Sequence, residues 1–258
     1  MRERIITAIC LLVVVLPLVF LGGYWFLALM LVAASMAIFE MVNMYEAKAG
    51  SSTIFKILLI LMSLAIIFVP TLQQAIGIFG VFSLSVGVAM LFSKIEPAMG
   101  NFYMKTFIYI GFSFRALIEI RNDSLSLFIF LIATVVLTDS MAYFSGRFFG
   151  KRKLAPKISP NKTVEGAIGG WVTGALFALV FGLHQALFSH IWVLIVLALA
   201  LPILSQLGDL LASALKRKYG IKDYGNLFPG HGGVMDRVDS QLLAAMLIYM
   251  MVLIGGLS

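Results

Sequence analysis

Long apolar runs alternate with short polar breaks along nearly the whole chain. Nine of them read as bilayer-crossing helices: 5–21, 24–42, 54–69, 72–92, 104–119, 125–145, 163–183, 190–215 and 241–256. A helix needs about 20 mostly apolar residues to cross the hydrocarbon core, and the runs are close to that length. The predicted fold is therefore all-α, a polytopic integral membrane protein with about nine transmembrane helices. Transmembrane helices fill 1–120. The region 121–258 carries further spans and two polar loops, 146–163 and 216–240. The first run follows Arg2 and Arg4, as the core of a signal peptide would. It is longer than such a core and a second run follows at once, so it reads as an uncleaved anchor.

Composition agrees with this pattern. The 258 residues are 61% hydrophobic and 12% charged, against about 25% charged in an average soluble domain. The single cysteine, Cys10, lies inside the first run and can form neither an intrachain disulfide nor a cysteine metal site. With nine spans and the N-terminus inside, all but two of the 19 basic residues fall on one face. The exceptions are Arg115 and Arg121. Short Lys/Arg-rich loops stay cytoplasmic, so the N-terminus is expected inside and the C-terminus outside the cell membrane. The net charge of +7 then favours anionic lipid or a polyphosphate at the cytoplasmic face. No nucleic-acid partner is expected.

The two polar loops share that face. In the eighth run Ser205, Asp209, Ser213 and Lys216 recur at spacings of four, four and three, which places them on one helical stripe. A carboxylate facing lipid is expensive, so the stripe must face protein or water. Counted from residue 190, Asp209 lies about 28 Å along its helix, at 1.5 Å per residue, close to the cytoplasmic surface. Asp139 lies near the cytoplasmic end of the sixth run, at the same surface, and Glu165 opens the seventh. Asp139, Glu165, Asp209 and Asp236 can therefore meet at one depth. Carboxylates suit Mg²⁺, which shares its shell with water and substrate phosphates, and the nearby Lys and Arg suit the phosphates themselves. Gly230, Gly232 and Gly233 around His231 would let backbone approach a ligand closely. Arg115 and Glu119, four residues apart near the outer face, read as a pair on adjacent helical turns.

The stretch Ser213 to Arg217, followed after four residues by Lys222-Asp223-Tyr224-Gly225-Asn226-Leu227-Phe228-Pro229-Gly230-His231-Gly232-Gly233-Val234-Met235-Asp236-Arg237-Val238-Asp239, resembles the signature of the phosphatidate cytidylyltransferase (CDP-diacylglycerol synthase) family. So does the run from Gly146-Arg147 through Ser159, Lys162, Thr163 and Glu165, and so does Asp139 to Phe144, where Met141 stands in place of a common glycine. The resemblance is specific to the C-terminal half. It implies CTP and phosphatidate as substrates, CDP-diacylglycerol and pyrophosphate as products, and Mg²⁺ as cofactor. It places metal-binding aspartates at Asp209 and Asp236, with K⁺ sharing that site, and a homodimer as the assembly. Lys216, Arg217, Lys222 and Arg237 would neutralise phosphates, helped by Arg147, Ser159, Lys162 and Thr163. Ser213 and His231 join the substrate-binding set. Asp139, Glu165, Asp223 and Asp239 would orient the basic residues or complete the metal shell. The rivals are a CTP-dependent lipid kinase, which would transfer a different phosphate, and a transporter, which the crowding of polar residues at one face disfavours.

Overall fold

A computed structural model describes residues 2–50, 52–69, 71–228, 230 and 232–255. His231, together with Pro229 of the polar loop, lies outside the described residues. The chain is helical almost throughout: α1 (Arg2–Leu21), α2 (Gly23–Ala49), α3 (Thr53–Phe68), α4 (Leu72–Leu91), α5 (Pro97–Thr106), a π-helical turn (Phe107–Phe112), α6 (Ser113–Asp123), α7 (Leu125–Phe149), α8 (Val164–His184), α9 (Ile191–Tyr219) and α10 (Met235–Leu253). Among the described residues, five segments are long and apolar enough to cross a bilayer: Gly23–Lys48, Leu72–Leu91, Leu125–Phe149, Val164–His184 and Ile191–Tyr219. Ile9–Leu21 and Thr53–Phe68 are shorter apolar helices. The protein is an all-α, multi-pass membrane protein. The first polar loop adds a feature that the apolar pattern does not announce, an antiparallel hairpin of β1 (Lys153–Ala155) and β2 (Ser159–Thr163). It pairs Lys153 with Thr163 and Ala155 with Ser159.

The chain divides into two compact units. The first comprises Met1–Ile118 and Asp223–Arg237, the second Glu119–Lys222 and Val238–Ser258. The Asp223–Arg237 part of the second polar loop thus folds with the N-terminal helices.

In the second unit α8 packs against α7 and α9 along a ladder of small residues. Gly166, Gly170, Gly174, Ala178 and Gly182 recur every four residues and are buried. Large apolar residues at Ile168, Val172, Leu176, Val180 and Leu183 are exposed on the helix. Small residues inside and bulk outside is the packing of helices in lipid, where close backbone approach replaces a hydrophobic driving force. A Cβ at Gly170 would lie 2.5 Å from the Thr138 carbonyl oxygen, and one at Gly166 would lie 2.6 Å from that of Ala142. Two side-chain hydrogen bonds tie α9 to α8: Trp171 Nε1 donates to the Leu199 carbonyl (3.0 Å) and Gln206 Nε2 to that of Ala167 (3.2 Å). Helix ends are capped locally. The Ser124 hydroxyl accepts from Leu127 N at the start of α7, and Gly220, at φ 74° and ψ 20°, turns the chain out of α9.

In the first unit the π-helical turn packs Phe107 against Phe82 of α4 at a centroid distance of 4.7 Å. Arg115 follows in α6 and is 1% exposed. Its Nη1 donates to the carbonyls of Ile66 (2.6 Å) and Val69 (2.7 Å). The guanidinium thereby caps the C-terminal end of α3, whose last carbonyls have no intrahelical partner. A pairing between Arg115 and Glu119 does not by itself describe this residue, because its acceptors include main chain from another helix.

The ladder makes a direct prediction. Gly170→Val forces side-chain atoms onto the Thr138 backbone and should destabilise the protein by roughly 1–3 kcal/mol, the range for overpacking. Val180→Ala, on the exposed face of the same helix, should leave stability nearly unchanged. Thermal unfolding of the two variants in the same detergent checks the contrast.

Candidate active site

The polar end of the second unit is built from α7, the hairpin, α9 and α10. Lys162 of β2 forms an ion pair with Asp209 of α9, Nζ to Oδ2, at 2.5 Å. Ser213, one turn further along α9, donates its hydroxyl to Asp209 Oδ1 at 3.3 Å. Asp139 of α7 shares a side-chain hydrogen bond with Ser240 of α10 and lies in the electrostatic field of both Asp209 and Lys162. Asp239 accepts from Ser240 N at 2.8 Å. Its main chain touches α9 at Gly208, where a Cβ would lie 2.5 Å from the Asp239 carbonyl oxygen. Two carboxylates, a lysine and two hydroxyls therefore converge, with Asp209 and Lys162 both partly open to solvent. Lys216 is buried to 8% exposure, whereas Arg217 reaches from the end of α9 toward the hairpin, Nε to the Ile158 carbonyl at 3.4 Å.

The remaining predicted residues of this unit take other positions. Thr163 is the N-cap of α8, its hydroxyl accepting from Gly166 N at 3.1 Å, as residues at that position commonly do. Glu165 accepts from Lys151 N (3.0 Å), Arg152 N (3.1 Å) and Arg152 Nε (3.2 Å). It thereby fastens the entry of the hairpin to the start of α8, and Arg152 is the base it orients. Ser159 lies in β2. Arg147 is exposed at the end of α7, its Nη1 donating to Tyr143 Oη at 3.3 Å. Lys222 is exposed at the point where the chain leaves the second unit before returning at Val238.

In the first unit the second polar loop folds around carboxylates. Asp236 Oδ2 accepts from Tyr224 N (2.8 Å) and Gly233 N (3.0 Å), drawing the two ends of the loop together. Phe228 N donates to the Gly232 carbonyl at 2.9 Å between them. Asp223 and Arg237 are exposed. One residue here has no counterpart among the predicted site residues. Glu40, deep in α2 and 8% exposed, accepts from Val234 N through Oε1 (2.9 Å) and from Met235 N through Oε2 (2.8 Å). A Cβ at Gly225 would lie 2.6 Å from Glu40 Oε1, and one at Gly233 would collide with the same carboxylate. The close approach that these glycines allow is thus to the protein's own acid. The signal for Glu40 was present in the sequence as an acidic residue inside an apolar run, where an ionisable group marks a function by default. The loop also borders an open pocket of 520 Å³ against α2 and α3, lined by Ser35, Phe39, Glu40, Asn43, Ile60 and Leu227. Beside it Lys56 Nζ donates to Asn43 Oδ1 (2.7 Å) and pairs with Glu46 (3.0 Å).

The donor chemistry bears on a metal. Among the described residues no group of three or more His, Cys, Asp or Glu side chains forms a ready-made cage. Asp209 and Asp139 offer oxygen donors beside a lysine. That fits Mg²⁺, which is held by one or two carboxylates and completes its shell with waters and substrate phosphates.

Carboxylates, a lysine and hydroxyls gathered at one end of a helical membrane unit suit the class of membrane proteins that handle phosphates. Within that class, the chain belongs to the cytidylyltransferase family, whose pattern it matches over residues 2–254. A protein of Bacillus subtilis (strain 168) named phosphatidate cytidylyltransferase is 39% identical over 259 residues, covering 96% of each chain. Proteins of the same name from Staphylococcus epidermidis (strain RP62A) and Staphylococcus aureus (strain COL) are 35% and 36% identical, over 93% of this chain and 94% of theirs.

The Lys162–Asp209 pair can be tested by a double-mutant cycle. Asp209→Asn should lower turnover by about 100-fold or more, the scale of losing one strong electrostatic contributor, with the fold retained. Lys162→Met should lower it as well. The double variant should fall short of the product of the two effects, because directly paired residues couple. Turnover of the three folded variants gives the coupling.

Proposed function

We propose that this chain makes CDP-diacylglycerol from CTP and phosphatidate, releasing pyrophosphate, as a step of phospholipid biosynthesis. It is an enzyme, a nucleotidyltransferase. The carrying observation is the family match, which runs through essentially the whole chain rather than one motif, together with relatives of that one name at 35–39% identity.

The chemistry suits the residues. A phosphate monoester has a second pKa near 6 (about that of other phosphomonoesters), so the lipid phosphate is largely a dianion at neutral pH and needs little help from a general base. Its oxygen attacks the α-phosphorus of CTP. The bond from that phosphorus to the β-phosphate's bridging oxygen breaks, and pyrophosphate leaves with the electron pair. The barrier lies in bringing anions together, which calls for fixed positive charge and alignment rather than a covalent nucleophile. Lys162, Lys216, Arg217, Lys222 and Arg237 are the bases proposed to neutralise phosphate charge. Asp209 and Ser213 orient Lys162, and Glu165 orients Arg152. Mg²⁺ is the proposed cofactor, accompanied by K⁺, and when bound it supplies further neutralisation of the phosphates. Asp209 is the proposed metal ligand of the second unit, and Asp236 carries the same assignment in the first. A homodimer is the proposed assembly.

Nine crossings are proposed, counting the unbroken helical run of α5, the π turn and α6 (residues 97–123) as one. The concentration of Lys and Arg on one side supports a cytoplasmic N-terminus and a site on the cytoplasmic face. Cysteines at Lys157 and Lys218, in a Cys10→Ser background, should resist membrane-impermeant thiol reagents in intact cells and label after lysis. Labelling in sealed cells would reverse the orientation.

The reaction is tested with CTP labelled separately at the α and γ phosphates. The α label should enter the organic phase in a phosphatidate- and Mg²⁺-dependent manner, while the γ label stays aqueous in pyrophosphate. Transfer of γ label alone would make the protein a lipid kinase.

A further inference from the structure

We propose that Glu40 is a positioning residue for this reaction: it fixes the main chain of the 223–236 loop from within α2, and through that loop it sets the Asp236 carboxylate. The inference rests on the nucleotidyl-transfer reading above and adds a residue that the loop's own sequence does not contain.

The geometry is that of a clamp. The amides of three successive residues, Gly233, Val234 and Met235, all donate to carboxylates, the first to Asp236 and the next two to Glu40. Asp236 also holds Tyr224 N, so the two acids together fasten both ends of the loop. Glu40 is separated from its partners by 194 and 195 residues. Its grip is therefore a tertiary bond between a membrane helix and a loop, not a local turn. The bonded amides open α10, where unpaired N–H groups and the helix dipole favour a negative charge. Val234 and Met235 are buried with the carboxylate, so no water stands in for it at low cost.

The two glycines explain the fit. Gly225 and Gly233 come from the two arms of the loop, and the Glu40 carboxyl group lies where a Cβ of either would fall. A glutamine at position 40 would keep the size, but it has a single acceptor oxygen and turns an NH₂ group toward one of the amides. Both Glu40 oxygens accept from loop amides, and the proposed action of the residue is through the loop. Displacement of a catalytic group by about 1 Å costs on the order of 100-fold in rate, which sets the expected scale.

The test uses the full-length protein in lipid nanodiscs. Glu40→Gln should lower kcat by about 10- to 100-fold and raise the Mg²⁺ concentration needed for half-maximal activity. Glu40→Asp, which keeps the charge on a shorter arm, should recover part of the loss. Amide hydrogen exchange, read without substrate or metal, should quicken at Val234 and Met235 in Glu40→Gln and stay unchanged in α7, α8 and α9. Gly233→Ala should strongly lower thermal stability in the native background and have little effect beside Glu40→Ala, which removes the colliding carboxylate. Unchanged exchange at Val234 and Met235, or an additive cycle between positions 40 and 233, would overturn the clamp. Faster exchange with wild-type kcat and Mg²⁺ dependence would overturn its role in the reaction. Absence of CDP-diacylglycerol synthesis by the wild-type protein would sink the reaction instead, and the exchange and stability measurements would still decide the clamp.

Discussion

A polar group carried into hydrocarbon must find its partner inside the protein, because no water is there to supply one. Four ionisable side chains reach another element here, and two of them, Glu40 and Arg115, are buried. Lys162 and Asp209 join the hairpin to α9. Glu40 joins α2 to the loop before α10. Arg115 joins α6 to the end of α3. The groups that make the protein chemically interesting are also those that say which elements must lie together.

The backbone packing that supports them is of a different kind. The glycine ladder of α8 holds no charge and makes no directional bond, yet it sets where the hairpin sits. Thr163 ends the hairpin and caps α8 in one residue, and its hydroxyl and methyl lie against Gly146 and Gly150 at the end of α7. Side chains at those glycines would push the cap away and carry Lys162 with it. A non-polar seam thereby determines the reach of a cation toward Asp209.

Much of this was legible in the sequence. The apolar runs foretold the helices, because long stretches without charge have few alternatives. The four-residue spacing placed Asp209 and Ser213 on one stripe of a helix, where the structure bonds them, since local geometry decides it. The hairpin was hidden, because Ser159-Pro160-Asn161-Lys162-Thr163 shows no alternation of apolar and polar residues. The partners of Glu40 were hidden for another reason: they are main-chain amides nearly two hundred positions away, and amides leave no mark in a sequence. The same holds for Arg115, whose acceptors are carbonyls. The neighbour four residues on was the visible candidate, and a helix end was the partner that the sequence could not name. Thr163 and Glu165, named from the sequence as substrate-binding, make bonds to the start of α8 and to the entry of the hairpin.

The arginine clamp also has a consequence for how the protein is made. Arg115 emerges from the ribosome 49 residues after Ile66, one of its two acceptors. Until then the carbonyls at the end of α3 lack the donor they have in the folded protein. The tie between α3 and α6 can form only once α6 has been made, so the end of α3 takes its final partner out of step with its own synthesis.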